Sequence, residues 1–95
     1  MSASAIEAAE QELGRVLPTP MKERLLRDNG GEVSAAGDVW QLHPVWDGSN
    51  RRAMRKTANN VVTETVAARA WARFPPGAVA IASNGTGDLL VLLQR

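Results

Sequence analysis

Residues 17 to 31 read Leu17-Pro18-Thr19-Pro20-Met21-Lys22-Glu23-Arg24-Leu25-Leu26-Arg27-Asp28-Asn29-Gly30-Gly31, which is the pattern of a short helix punctuated at both ends. Thr19 is placed to accept from the free N–H groups of the first turn. Pro20, at the first helical position, has no N–H to leave unpaired and a φ already set for helix. At the other end Asn29, Gly30 and Gly31 enter the left-handed region at little cost, so the chain closes off the last carbonyls and turns sharply. Between these signals Met21, Leu25 and Leu26 form one apolar stripe, with Lys22, Glu23, Arg24 and Arg27 around the rest. One face is expected to be buried and the other wet.

Upstream, Ser4 followed by Glu7 has the spacing of a capping box, and Ile6, Ala9, Glu10 and Leu13 then step along at helical intervals. A first helix is therefore expected from Ala5 to Leu13, stopped by Gly14. The tight link Val16-Leu17-Pro18 folds it back on the second helix through Ile6, Leu13, Leu17, Met21 and Leu25. Downstream, Glu32-Val33-Ser34 and Val39-Trp40-Gln41-Leu42 read as extended segments joined by the turn Ala35-Ala36-Gly37-Asp38, a hairpin. Residues His43 to Ala58 carry no period, since Pro44, Gly48, Ser49 and Asn50 interrupt it. They are expected to form a mobile surface loop with room for a helical turn.

A third helix is expected from Asn60 to the Pro75-Pro76-Gly77 stop. It has Val62, Val66 and Ala70 on one line, Ala67, Trp71 and Phe74 on the next, and Glu64, Arg69 and Arg73 outside. On this reading Trp71 is core, as is Trp40, which alternates with Leu42 on one strand face. The run Ala78-Val79-Ala80-Ile81-Ala82-Ser83 reads as a strand, and the glycine-rich Asn84-Gly85-Thr86-Gly87-Asp88 as its connection to a last strand, Leu89 to Leu93. That strand is apolar on both faces. It must be covered on both sides or leave some of its surface for a partner.

Composition sets the outer limits. A chain of 95 residues is one domain, residues 1–95, with 44% hydrophobic and 22% charged residues, well inside the range of chains that fold. The formal net charge of +1 gives no global field for holding nucleic acid or for imitating it, so partner choice falls to local patches. There is no cysteine and a single histidine, which removes disulfide and thiolate chemistry and leaves a zinc site to rest mainly on carboxylates. No signal peptide pattern opens the sequence and no apolar run approaches the ~20 residues of a membrane span, so a cytoplasmic protein is expected.

Three groups of residues then stand together: Glu10-x-x-Leu13-Gly14-x-x-Leu17-Pro18, then Asn29-Gly30-Gly31, then Ile81-Ala82 through Gly87-Asp88 to a hydrophobic strand. In this order they resemble the SUKH superfamily, which embraces fungal regulators of cell-wall glucan synthesis, the bacterial Syd protein and small bacterial immunity proteins encoded beside secreted toxins. The resemblance spans both ends of the chain. It implies an α+β fold in which an N-terminal helical hairpin and a third helix pack on one curved, mostly antiparallel sheet, in agreement with the element order read from the residues. In that family the strand after Gly-Asp is followed by further strands and a closing helical segment, whereas this sequence ends at Arg95. A short member and a longer protein cut at its C-terminal edge are both compatible with that. Either leaves an apolar sheet edge that self-association through Leu89 to Leu93, or strand addition by a partner, would cover.

No catalytic constellation emerges. His43 lies between Leu42 and Pro44 with Asp38 and Asp47 in the neighbourhood, but no spacing marks a triad and no nucleophile stands near. It reads as an ordinary hydrogen-bonded histidine. Asn84-Gly85-Thr86-Gly87 lacks the lysine and the following helix of a phosphate loop and reads as a turn, with Asp88 bonding the backbone N–H groups of that turn. Arg51, Arg52, Arg55 and Lys56 would each contribute to phosphate binding. No aromatic residues interleave with them to stack bases, so a solvated loop is the plainer reading.

Trp46 stands beside this cluster in a polar stretch and is expected to be exposed. Tryptophan and arginine are the residue types that anchor protein contacts, so Trp46, Arg51, Arg52 and Arg55 are the candidate partner-binding residues, facing an acidic protein surface. No catalytic residue, metal ligand or cofactor site is expected, and neither direct nucleic-acid binding nor membrane association. The resemblance implies a non-catalytic domain similar to an immunity protein, neutralising a cognate bacterial toxin by direct binding. The alternative is a regulatory or scaffold module that binds a housekeeping protein.

Overall fold

The computed structural model describes residues 2–35, 37–71, 73–86 and 88–93. Helix α1 runs Ala3–Leu13, two residues longer at its start than the sequence suggested. Ser2, not Ser4, is its N-cap: the Ser2 hydroxyl accepts from the Ala5 N–H at 3.3 Å. The helix ends where expected, with Gly14 at φ 77° donating back to the Glu10 carbonyl. Ile6, Ala9 and Leu13 form its buried stripe.

The corner that follows is held by one side chain. Glu10 accepts from the Leu17 N–H at 2.6 Å and pairs with Lys22 at 3.6 Å, so the last turn of α1 fixes the first turn of the next helix. That helix, α2, spans Thr19–Arg27. Its N-cap is Pro18 and no side chain caps it; Thr19 is already inside the helix and Pro20 sits at its second position. Leu25 is fully buried and Met21 half-buried, but Leu26 is exposed, so the apolar stripe is narrower than the composition implied. Gly30 and Gly31 do take positive φ, 121° and 81°. At Gly31 the positive φ favours glycine, while the nearest neighbours of an added Cβ, the Asp28 carboxylate at 2.8 Å and the Arg24 guanidinium at 3.0 Å, are flexible side-chain ends that could shift aside.

The sheet has four strands, β1 (Glu32–Ala35), β2 (Asp38–Leu42), β3 (Val79–Ser83) and β4 (Leu89–Leu92), in spatial order β1-β2-β3-β4 with every pairing antiparallel. The sheet is open. Glu32 faces Gln41 and Val33 faces Trp40 in the first hairpin, and Trp40 is buried with its indole N–H donating to the Ala35 carbonyl at 2.8 Å. A register shift at Ile81 interrupts the β3–β4 ladder. Near this bulge the chain beyond β2 attaches itself: His43 donates its backbone N–H to Ile81 and bonds the Ala80 carbonyl through Nδ1.

Two further helices lie between the hairpins. The short α3, Arg51–Lys56, occupies what the sequence presented as a mobile loop. Helix α4, Val61–Ala68, packs on β3 and alongside α1. Its buried side is Val61, Thr65 and Ala68, whereas Val66 is 57% exposed and Trp71, beyond the helix end, 54% exposed. The expected face was therefore turned away from the core, and Trp71 is not a core residue. The cause is Thr65: its hydroxyl accepts from the Ala80 N–H at 2.9 Å inside the protein, a polar residue doing a core residue's work. The helix also stops early, with turns at Arg69, Ala70 and Arg73 before Pro75.

Together these elements give an α+β fold, with Leu17, Leu25, Val45, Val61 and Val79 at its centre. All four residues of β4 are half-buried, and Leu93 beyond them is exposed.

Candidate functional site

The segment from Pro44 to Asn60 leaves the core and returns to it, and hydrogen bonds fix it along the way. Asn29 clamps its start: Oδ1 accepts from the Val45 N–H and Nδ2 donates to the Val45 carbonyl, both at 2.8 Å. Val45 itself is buried. At the far end the Val61 N–H donates to the Pro44 carbonyl, closing the loop across its base. In the middle Thr57 Oγ1 accepts from the Asp47 N–H at 2.9 Å and donates to the Ala53 carbonyl, and Asn60 Nδ2 donates to the Thr57 carbonyl. A loop with this many internal bonds is a built feature.

Within it Asn50 Oδ1 accepts from the Ala53 N–H at 2.8 Å and starts α3. At 100° per residue, Arg51, Arg52, Arg55 and Lys56 occupy an arc of about 140°, leaving Ala53 and Met54 for the other side. The burial agrees: the four basic residues are exposed and Ala53 and Met54 are half-buried. None of the four forms an ion pair among the described residues. Arg51 and Arg52 stand in the first turn, where the helix dipole disfavours cations, and no acidic residue offsets them there.

Trp46 is 46% exposed, as expected. Its indole lies over the backbone of Gly48: a Cβ on Gly48 would come within 3.2 Å of the indole nitrogen. Close by, Asp47 accepts from Ser49, and those hydrogen bonds hold its carboxyl below the usual carboxylate range.

Trp46 lines a groove of about 620 Å³ between α1 and α4. Ala5, Ala8 and Ala9 of α1 form one wall, Val62 and Thr63 of α4 the other, and Trp46 through Ser49 a third. Sequence reading missed this groove. Its signal was the alanine content of α1 outside the Ile6 and Leu13 stripe, which propensity alone accounts for as well as function does. Of the predicted partner-binding residues, Trp46 is in the groove wall. The arginines follow on the same segment: Arg51 is two residues beyond Ser49, so its Cα lies within about 7.6 Å of the groove's rim.

The remaining candidates are kept apart. His43 is 7% exposed and its Nδ1–H donates to the Ala80 carbonyl at 2.8 Å, a structural bond. Asp38 instead accepts from Asn84, and Asp47 from Ser49, so neither carboxylate hydrogen-bonds His43. In the glycine-rich turn it is Asn84, not Asp88, that gathers the N–H groups. Its Oδ1 accepts from the Thr86 and Asp88 amides and the Thr86 hydroxyl, while the Asp88 carboxylate accepts from Asn84 Nδ2. Gly87 lies outside the described residues. Among the described residues no group of three or more His, Asp or Glu side chains is arranged to hold a metal ion, and no helix is long and apolar enough to cross a membrane.

Comparison with known proteins gives one positive result. No curated protein and no solved structure matches the chain. The family described as SMI1 / KNR4 (SUKH-1) matches residues 1–94, which takes in the Glu10-to-Leu17 corner, the diglycine stop after α2, the bulged β3 and the groove. Over nearly its whole length, then, this chain belongs to the SMI1 / KNR4 family (SUKH-1).

Proposed function

We infer that this chain, acting as one domain, is a non-catalytic protein-binding module of the immunity type, which neutralises a cognate bacterial toxin in the cytoplasm by covering a surface the toxin needs. The observation that carries this reading is the segment 46–56: an exposed tryptophan and four basic residues that form no ion pair among the described residues, presented on a loop pinned at both ends. Presenting rigid side chains lowers the ordering cost of association, and tryptophan and arginine are the types that dominate interface energetics. Membership of the SUKH-1 family supports a binding role and is compatible with a regulatory partner as well as with a toxin.

The near-neutral net charge favours local complementarity over bulk acidity if the toxin is a nuclease, so the contact is between side chains and not an imitation of nucleic acid. Chemistry on this reading belongs to the partner.

The test is capture from the native host with tagged protein, read by mass spectrometry, comparing wild type with a Trp46→Ala, Arg52→Glu double variant. Recovery of one toxin-domain protein that the variant loses, and whose growth arrest the wild type relieves on co-expression, is the expected result. Recovery of a housekeeping assembly would move the assignment to a regulatory or scaffold module. Equal capture by both proteins would show that the 46–56 face is not the binding face.

A further inference from the structure

The groove between α1 and α4, about 620 Å³, has room for a large side chain and carries a charge of its own. Of the residues that line it only Glu12 and Asp47 are ionisable. Both are carboxylates, and no basic residue joins them in the walls. Neither forms an ion pair among the described residues. The chain as a whole stands at +1 and the basic residues of α3 lie outside the lining, so the cavity is a local negative patch next in sequence to a positive one.

Hydrogen-bonding capacity in the walls is unevenly used. Asn60 Oδ1 accepts from the Val62 and Thr63 amides and its Nδ2 donates to the Thr57 carbonyl. The Thr63 hydroxyl donates to the Asn60 carbonyl and accepts from the Asn60 N–H, and the Ser2 hydroxyl accepts from the Ala5 amide. The carboxylates are different. Glu12 is exposed, and Asp47 Oδ1 accepts from the Ser49 N–H at 3.0 Å, which leaves much of the capacity of a group with about four lone-pair sites. The bonds from Ser49 also hold Asp47 below the usual carboxylate range, so it is charged at neutral pH. Apart from the Trp46 indole N–H, what stays open in the walls is acceptor capacity. The side chains that donate and never accept are those of lysine and arginine.

The apolar half of the lining fits the same occupant. Ala5, Ala8 and Val62 offer short apolar surface, and the indole of Trp46, 46% exposed, is the best aromatic partner for a cation. Gly48 keeps that ring in place: a Cβ there would come within 3.2 Å of the indole nitrogen, so the ring rests against bare backbone. Lysine and arginine are themselves divided in this way, an aliphatic stem that packs on apolar surface and a charged head that seeks acceptors. A cavity of mixed lining whose charges are all negative is complementary to such a side chain.

We propose that the α1–α4 groove receives a basic side chain of the partner protein, its aliphatic stem against Ala5, Ala8 and Val62 and its cationic head at Trp46 and Asp47, with Glu12 adding negative charge further along α1. This rests on the protein-binding reading above and names the partner's anchor. The partner surface then carries opposite charges side by side, a lysine or arginine for the groove and acidic residues for α3.

The probe is the capped peptide acetyl-Gly-Arg-Gly-amide, compared with its citrulline twin, which keeps the shape and loses the charge. Binding to the intact protein is followed by backbone and indole N–H chemical shifts. The expected result is that the arginine probe binds about tenfold tighter or more and moves the Trp46 indole signal and the amides of Ala8, Asp47 and Gly48. A Glu12→Gln, Asp47→Asn variant keeps an oxygen for the Ser49 N–H and should bind the two probes alike. Ala8→Lys, at an exposed position four residues before Glu12, puts a cation in the groove from within the chain and should weaken the arginine probe by a similar factor.

Equal affinity for the two probes in the wild type, shifts that follow Glu7 and Glu10 and leave Trp46 unmoved, or an undiminished preference for arginine in Glu12→Gln, Asp47→Asn would each overturn the proposal. The two readings separate in the capture experiment. A partner lost by Trp46→Ala, Arg52→Glu but kept by Glu12→Gln, Asp47→Asn overturns the groove anchor and leaves protein binding standing, whereas a partner kept by both variants overturns both.

Discussion

Asn29→Ala is the substitution that joins the fold to the site. Asn29 makes two 2.8 Å hydrogen bonds to the backbone of Val45, and Val45 is 1% exposed, so water cannot readily replace what the side chain supplies. Each intramolecular bond is worth about 1 kcal/mol net, and a buried group left unpaired costs about 1 to 3 kcal/mol. Some relaxation toward solvent is available because Asn29 itself is half-buried. A loss of about 2 kcal/mol is therefore expected, from a total that for this length is about 5 to 14 kcal/mol.

Urea unfolding followed by circular dichroism should show the midpoint fall by about 1 to 2 M, and thermal unfolding a drop of about 8 to 16 °C. The Trp46 indole signal should shift, since Val45 carries that side chain's backbone. Asn29→Asp gives a sharper version. It keeps an acceptor for the Val45 N–H but sets a second oxygen 2.8 Å from the Val45 carbonyl. Its deficit should be full at neutral pH and shrink as pH falls through the carboxylate range, where a protonated oxygen donates again. Unfolding of Asn29→Ala within about 0.5 kcal/mol of wild type would refute the clamp.

Thr65→Val keeps shape but removes the acceptor for the buried Ala80 N–H, and should cost about 1 to 2 kcal/mol by urea unfolding; an equal or higher midpoint would mean the position is simply apolar. Arg52→Glu should raise stability by about 0.5 to 1 kcal/mol while weakening partner binding, because it places an acid in the first turn of α3 and turns the repulsive Arg52 and Lys56 pair into an attractive one. A stability loss on that change would show an unseen contact at Arg52. The β4 edge is expected to drive self-association, read by sedimentation, with Val91→Lys returning the protein to monomer; a wild-type monomer at high concentration would refute it.

Much of the fold is legible before any coordinates, and its larger misses share a physical origin. The stop of α1 at Gly14 is a local event, governed by what glycine permits at positive φ, so it was read correctly, whereas α2 is closed by an extended Asp28 that donates to the Arg24 carbonyl, before Gly30 and Gly31 turn the chain. The first hairpin follows from alternation and turn residues, the second from two apolar runs about a glycine-rich turn. Errors gathered wherever a polar side chain serves the interior. Thr65 takes an interior position of α4 as an acceptor for the Ala80 N–H beside the β3 bulge, and of the face inferred from Val62, Val66 and Ala70 only Val62 stays packed against the core while Val66 and Ala70 are exposed. Asn29, Asn60 and Thr57 hold the 44–60 excursion through bonds that span up to 16 residues, and no periodicity records them. Trp46 and the arginines of α3 were visible because their chemistry is unusual for a loop. The α1–α4 groove was not, because a groove is a relation between two helices and neither sequence contains it.

The basic helix adds a physical argument to the proposal that its segment is the binding face. Six residues are too few for a helix to persist alone, since nucleation is costly and few bonds follow it. Its composition makes matters worse, with like charges at i,i+4 in Arg51 and Arg55 and again in Arg52 and Lys56, and two arginines at the dipole's positive end. What offsets these terms is tertiary: the Asn50 cap, the Thr57 hydroxyl tied to Asp47, and the half-buried Ala53 and Met54. Among the described residues none of the four charges is ion-paired. A segment that the surrounding structure holds against its own local preference, with its charges left unspent, is where an external partner supplies the compensation. On that argument the stability gained by Arg52→Glu and the binding lost with it have the same electrostatic cause.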